Sequence, residues 1–297
     1  MITNGIINLN KPPKKTSFQM VALVRKLSEI RKVGHSGTLD PDATGVLPIL
    51  LGKATKLASF LTESTKVYQA EIEFGTATDT YDSSGSITWQ GDPSTLTLAQ
   101  IQSELAAFHG FIEQKPPMYS AIKYHGKPLY QLARAGIEID RKSRQVHLFR
   151  LEILNWDNPV LALEIECSKG TYIRSLAHDL GQALECGAHL RGLTRTRSGP
   201  FHIDDSISAS QLEEEFQKGQ WETFVHSPDT VLLHLPATTV NAKELACIKY
   251  GQSFPPLKEQ LDTSEELHRA YSPEGRFIAL VKFDRETNQW QPKKVFL

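Results

Sequence analysis

Residues 67–74 alternate cleanly. Tyr68, Ala70, Ile72 and Phe74 share one face and Gln69, Glu71 and Glu73 the other, the two-residue period of a half-buried strand. Residues 5–9 predict a first strand closed by Pro12-Pro13, and 46–51 a short apolar strand. Between them the period changes. Thr16, with Gln19 three residues on, predicts a capped helix bearing Phe18, Val21, Val24 and Leu27 as its apolar stripe. Residues 54–61 predict a second helix, and Thr97 caps a third carrying Leu98, Ile101, Leu105 and Phe108. The polar stretch 76–85 reads as a loop. Residues 109–144 are basic and punctuated by Pro and Gly, with a hairpin turn at Tyr124-His125-Gly126-Lys127 and a short helix from Pro128 to Gly136. Strands follow near 146–154 and 160–167. A helix then begins at Thr171 with Ile173, Leu176, Leu180 and Leu184 on one face, and an acidic helix spans 210–216. After residue 235 the pattern turns to short strands, with Ser272-Pro273-Glu274-Gly275 as a hairpin turn.

Strands and helices without regular βαβ alternation predict an α+β fold. The length of 297 residues accommodates a large domain over 1–230 and a small β-rich one over 235–297. A 40% hydrophobic content supports ordinary cores. No apolar run is long enough to span a bilayer, and the first residues lack the pattern of a leader, so a cytoplasmic protein is expected. Cys167, Cys186 and Cys247 form no ligand pattern, and no metal is expected.

Net charge is −1, which by itself discourages a nucleic-acid partner. Its distribution restores one. Lys115, Lys123, Lys127, Arg134, Arg141, Lys142, Arg144 and Arg150 stand against only Glu138 and Asp140, and Lys14 and Lys15 belong to a second basic cluster. Arg191, Arg195 and Arg197 form a third, while acids gather around 204–229. A basic face for phosphates and an acidic back are both available.

The chemistry concentrates in Gly34-His35-Ser36-Gly37-Thr38-Leu39-Asp40-Pro41-Asp42-Ala43-Thr44-Gly45. Glycines and a proline there allow a loop that presents a carboxylate to a ligand. Spacing alone does not choose between Asp40 and Asp42. The loop resembles the catalytic motif of the TruB family of tRNA pseudouridine synthases, Gly-His-x-Gly-x-Leu-Asp-Pro-x-Ala-x-Gly, at every fixed position. The similarity extends to Asn10-Lys11-Pro12, Lys66-Val67-Tyr68, the stretch from Gln114 to Gly136, Lys169-Gly170-Thr171-Tyr172-Ile173-Arg174, and Leu190 to Phe201. Asn10 and Lys14 depart from the Asp and Gly usual in the opening motif.

That resemblance implies a pseudouridine-synthase fold, with a mixed, largely antiparallel central sheet and flanking helices. It also implies an RNA-gripping thumb over 109–147 and a PUA-like barrel over 235–297. Asp40 becomes the nucleophile, Arg174 its cationic partner, and Tyr68 the ring that stacks on the target base. Tyr172 and Leu193 line the pocket. His35 fills the space left by a flipped base, and Lys14, Lys15, Lys123, Arg134, Arg141 and Arg144 meet the RNA. The implied partner is tRNA, at the T-loop uridine numbered 55 and the T-stem. A monomer is implied, with no cofactor, no membrane and no obligatory protein partner. Two alternatives remain: an RNA-guided catalytic subunit of an H/ACA particle, and a tRNA-folding chaperone.

Overall fold

Alternating segments become a sheet and capped segments become helices. The computed structural model describes residues 4–255 and 267–297. Strand β1 (Gly5–Lys11) leads into α1 (Ser17–Ser28), then β2 (Val33–His35) and β3 (Thr44–Leu51). A 3₁₀ turn over Gly52–Leu57 precedes α2 (Ala58–Glu63), so the helix expected at 54–61 splits into two kinds of turn. Next come β4 (Lys66–Phe74), the hairpin β5 (Thr76–Thr78) and β6 (Ile87–Gln90), and α3 (Leu98–Ala107). The basic region holds β7 (Gly110–Gln114), β8 (Lys123–Tyr124), β9 (Lys127–Pro128) and α4 (Leu129–Arg134). Strands β10 (Arg144–Asp157) and β11 (Val160–Cys167) precede α5 (Ile173–Ala183), β12 (Ala188–Ser198), β13 (Phe201–His202), β14 (Ile207–Ser208), α6 (Ala209–Gln217) and β15 (Val225–His226). The C-terminal part comprises β16 (Ala237–Thr239), α7 (Ala242–Lys249), β17 (Leu267–Tyr271), β18 (Phe277–Asp284) and β19 (Gln289–Val295).

The main sheet runs β14-β1-β3-β12-β4-β11-β10-β7. It is mixed and largely antiparallel, with parallel pairs only where β1 meets β14 and β12 meets β3. One face carries Ala70, Ile72, Phe74, Leu161, Leu163 and Ile165 under α3 and α5, whose Ile101, Leu105, Leu176 and Leu180 complete that core. Full burial of each such side chain contributes about 1.5–3 kcal/mol. The other face is charged and paired: Arg191 lies 3.8 Å from Glu71 and 3.6 Å from Glu73, while Arg150 and Arg197 bind Glu164 and Glu166.

Several expectations need correcting. In α1 the capping box of Thr16 and Gln19 forms, yet Phe18 is 67% exposed; Met20, Val21 and Val24 make the buried stripe. Strands β5 and β7 occupy stretches expected to be irregular, and β6 lies where no element was expected. Strand β12, unpredicted, sits mid-sheet, and its Arg195 is buried, so the third basic cluster is not a free surface. Beyond residue 235, the described residues add a helix to an open four-stranded sheet ordered β16-β17-β18-β19. That sheet joins the main body through Leu280 and Phe296, which pack with Ile6, Leu50 and Leu57. Residues 1–3, part of the stretch expected not to be a leader, lie outside the described part, as do 256–266 of the region expected to form the small domain.

Candidate active site

The loop between β2 and β3 is fixed from three sides. Leu39 donates its backbone N–H to Ser17 Oγ (2.9 Å), and that hydroxyl donates back to Leu39 O (3.1 Å). Lys11, fully buried, donates to the carbonyls of Pro12 (2.9 Å), Lys15 (2.7 Å) and Pro41 (2.9 Å). Burial lowers its pKa to about 8, with Asp42 and Asp40 opposing, which leaves it protonated at neutral pH. Arg195 Nη2 donates to Gly37 O (3.3 Å). Gly45 has φ +100°, and a Cβ there would stand 2.2 Å from Arg195 O, so β3 and β12 close up only around a glycine. Leu39 and Ala43 anchor the loop in the core beside α1. Asp40, between them, is thereby presented; Asp42 is exposed and outside the cleft.

Arg174, in the first turn of α5, is the hub. Its Nε lies 2.9 Å from Asp40 Oδ2, although its N–H is not aligned on a hydrogen-bond acceptor; the contact is ionic. Nη1 lies 3.5 Å from Asp82 Oδ2 and donates to Thr80 O (3.2 Å), while Nη2 donates to Tyr119 O (2.8 Å). Asp82 is a site residue that the sequence left inside a polar loop. Its Oδ1 accepts from Thr80 Oγ1 (2.7 Å), Ser84 N (3.0 Å) and Ser84 Oγ (2.6 Å), which fixes the other oxygen toward Arg174. Asp40 keeps 43% of its side-chain surface open to solvent. Burial nevertheless pushes its pKa up; Arg174 and Lys11 pull it down, and Asp82 raises it further.

A cleft of about 380 Å³ surrounds these groups, lined by Asp40, Tyr68, Tyr172, Arg174 and Leu193 together with the buried Lys66 and Arg195. Clefts of about 620 and 700 Å³ open elsewhere, so volume alone would not locate the site. Tyr68 is partly buried; burial raises its hydroxyl pKa and Arg195 opposes the rise. Tyr172 caps α5 and is bracketed by Gln114, whose Oε1 accepts its N–H (2.7 Å) and whose Nε2 donates to its carbonyl (2.9 Å). Gln114 is entirely buried, a position that basic-patch reasoning passes over. Arg144 lies 4.6 Å over the Tyr172 ring, donates to Gly170 O and lines the cleft.

The remaining sequence-predicted residues lie apart from the cleft lining. His35 ends β2 and faces inward; burial lowers its pKa, helped by Arg195. Lys14, Lys15, Lys123 and Arg134 are exposed. Arg141 is held by Pro116 O (3.1 Å) and Glu138 (3.6 Å), with 10% of its side chain open.

Two family models match the chain. The TruB family pseudouridylate synthase N-terminal domain covers residues 25–173, and the tRNA pseudouridylate synthase B C-terminal domain covers 174–234. The tRNA pseudouridine synthase B of Dehalococcoides mccartyi is 43% identical over 294 residues, 99% of this chain and 97% of its own. This chain belongs to the TruB family. The enzyme of the same name from Geobacillus thermodenitrificans is 40% identical over 303 residues, 99% of each chain. Among solved structures, a chain of a Cbf5-Nop10-Gar1 complex matches with TM-score 0.74 at 28% identity, covering 99% of this chain and 85% of that one. A chain from an H/ACA ribonucleoprotein bound to a substrate RNA matches with TM-score 0.72 at 25% identity, at the same coverage. The two TruB segments meet inside α5. Strand β12, from the second, lies between β3 and β4 of the first, so both build one sheet around the cleft. Chemically, the TruB cleft joins a carboxylate capable of attack on an electrophilic carbon to a permanently charged partner and an aromatic wall.

Proposed function

We propose that this protein isomerises uridine to pseudouridine in tRNA, at the T-loop position numbered 55. The observation that carries this reading is Asp40 held on Arg174 at the floor of a cleft walled by Tyr68, Tyr172 and Leu193. Asp40 acts as nucleophile at C1′ of a flipped-out nucleoside. Tyr68 supplies a stacking face, a contact worth about 1–3 kcal/mol per base. His35 fills the vacated space, and Arg144, Lys14, Lys15, Lys123, Arg134 and Arg141 offset a flipping cost of a few kcal/mol. The small β-rich domain adds a PUA-like RNA contact. The protein acts alone, as a cytoplasmic monomer; the stand-alone part of this reading is supported by the segment built on β8, β9 and α4, which serves as an RNA-gripping thumb.

Incubating purified protein with bare tRNA transcript and mapping pseudouridine tests the reading. Conversion of the T-loop uridine, abolished in Asp40→Asn with tRNA affinity kept within about threefold, is the expected result. An unmodified T-loop would favour an RNA-guided subunit, and full turnover by Asp40→Asn would remove the nucleophile.

A further inference from the structure

Arg195 carries a charge that the fold does not neutralise. Its side chain is 1% exposed, yet it makes no ion pair with a carboxylate among the described residues. Its hydrogen-bond partners are carbonyls: Nε donates to Val46 O (2.7 Å) and Nη2 to Gly37 O (3.3 Å). The neighbouring arginines differ. Arg197 binds Glu166, Arg191 lies by Glu71 and Glu73, and Arg174 holds Asp40 and Asp82. A buried cation satisfied only by dipoles costs free energy, and this one also disfavours the charged forms of Lys11, His35 and Lys66 around it. Structural need does not explain it, because the same carbonyls could bond a neutral donor.

Position does. Arg195 lines the cleft that Tyr68 also lines and stands opposite it in the β12–β4 register. The cations toward solvent are others: Lys169 keeps 54% of its side chain exposed. Backbone phosphates are the outermost part of a bound nucleotide, so they suit that rim. A cation buried beside Tyr68 suits instead the base that the proposed function stacks there.

Building on the function proposed above, we propose that Arg195 stabilises the negative charge on the uracil as it leaves the ribose. The N1–C1′ bond breaks with its electron pair passing to N1, and the charge spreads onto O2 and O4, while C1′ becomes bonded to an Asp40 oxygen. The base turns and C5 attacks C1′, returning the pair of the Asp40–C1′ bond to the carboxylate. The C5 proton is then lost and N1 gains one, so product and substrate have the same composition. A preorganised cation facing charge that develops only during reaction accelerates the step without tightening substrate binding.

Single-turnover rates of N1–C1′ cleavage, read as loss of the starting nucleoside, test this on two tRNA transcripts, one with uridine at the target and one with 5-fluorouridine, whose fluorine makes the base a better anionic leaving group and leaves no C5 proton to lose afterwards. Arg195→Gln is expected to bind tRNA within about threefold of wild type and to react with uridine about 100-fold slower, with a deficit about tenfold smaller on 5-fluorouridine. Arg195→Lys should recover about tenfold of the lost rate. If Arg195→Gln does not fold, as judged by thermal unfolding, the lysine variant provides the same two-substrate comparison. Equal deficits on both substrates would assign Arg195 a structural role, and weakened binding with a normal saturating rate would assign it to a phosphate; either overturns the proposal. Wild-type protein inert on both transcripts would overturn the function itself.

Discussion

Asp40 is held between opposing influences, and they give opposite predictions for its two neighbours. Burial raises its pKa, Arg174 lowers it, and Asp82 raises it again. The proposed attack requires the carboxylate, so activity should be lost as pH falls through a value above the ordinary carboxylate range. Replacing Arg174 with Gln removes the lowering influence: the acid limb of the single-turnover pH profile should move to higher pH while the plateau drops about 100-fold or more. Asp82→Asn removes a like charge, so the limb should move to lower pH, even though the plateau also falls because Arg174 loses an orienting partner. Limbs moving the same way in both variants would contradict this account.

Individual elements owe their positions to buried polar groups as much as to apolar faces. Lys11 ends β1 and ties the start of α1 to the Asp40 loop through three carbonyls. Lys11→Met should keep the sheet but free the loop: faster hydrogen exchange over 36–43 and a rate reduced about 10- to 100-fold, with tRNA affinity nearly unchanged. Strand β4 shows the apolar counterpart. Ile72 is fully buried beneath α5, and Ile72→Ala should cost about 2–5 kcal/mol in urea unfolding. The joint between β7 and α5 depends on Gln114, whose amide fixes Tyr172 two residues before Arg174.

Over the whole molecule, charge is sorted by partner. Many cations of the basic clusters are paired internally: Arg150 and Arg197 on glutamates, Arg141 on the carbonyl of Pro116, Lys115 on Asp140. Lys123, in β8, and Arg134, at the end of α4, remain exposed. Lys123→Ala combined with Arg134→Ala should therefore weaken tRNA binding and reduce the slope of log affinity against log salt by about 1.4–1.8, without slowing the saturated single-turnover rate. An unchanged slope, measured by filter binding across a salt series, would take both residues out of the phosphate contacts. The C-terminal sheet is docked rather than tethered. Lys56 donates to Val295 O (3.0 Å) and Lys294 to Lys56 O (2.6 Å), over a shared apolar cluster.

The amino-acid sequence alone determined whatever depends on near neighbours. The capping boxes at Thr16 and Thr97, the two faces of β4 and the hairpin turn at 272–275 follow from spacings of two to four residues. Within the 34–45 loop, spacing left Asp40 and Asp42 equal, and only the resemblance to the TruB motif pointed to Asp40. Tertiary structure alone decided the rest. Strand β12 is hidden because its ladder slips at Leu190/Gly192 and Arg195/Arg197, which breaks the alternation that would announce a strand. Asp82 looks like any turn acid until α5 brings Arg174 to it, and Lys11 and Arg195 look like surface cations until the sheet closes over them. A charge acquires its role from the dielectric and the partners around it, and those are assembled only when segments distant in the chain pack together.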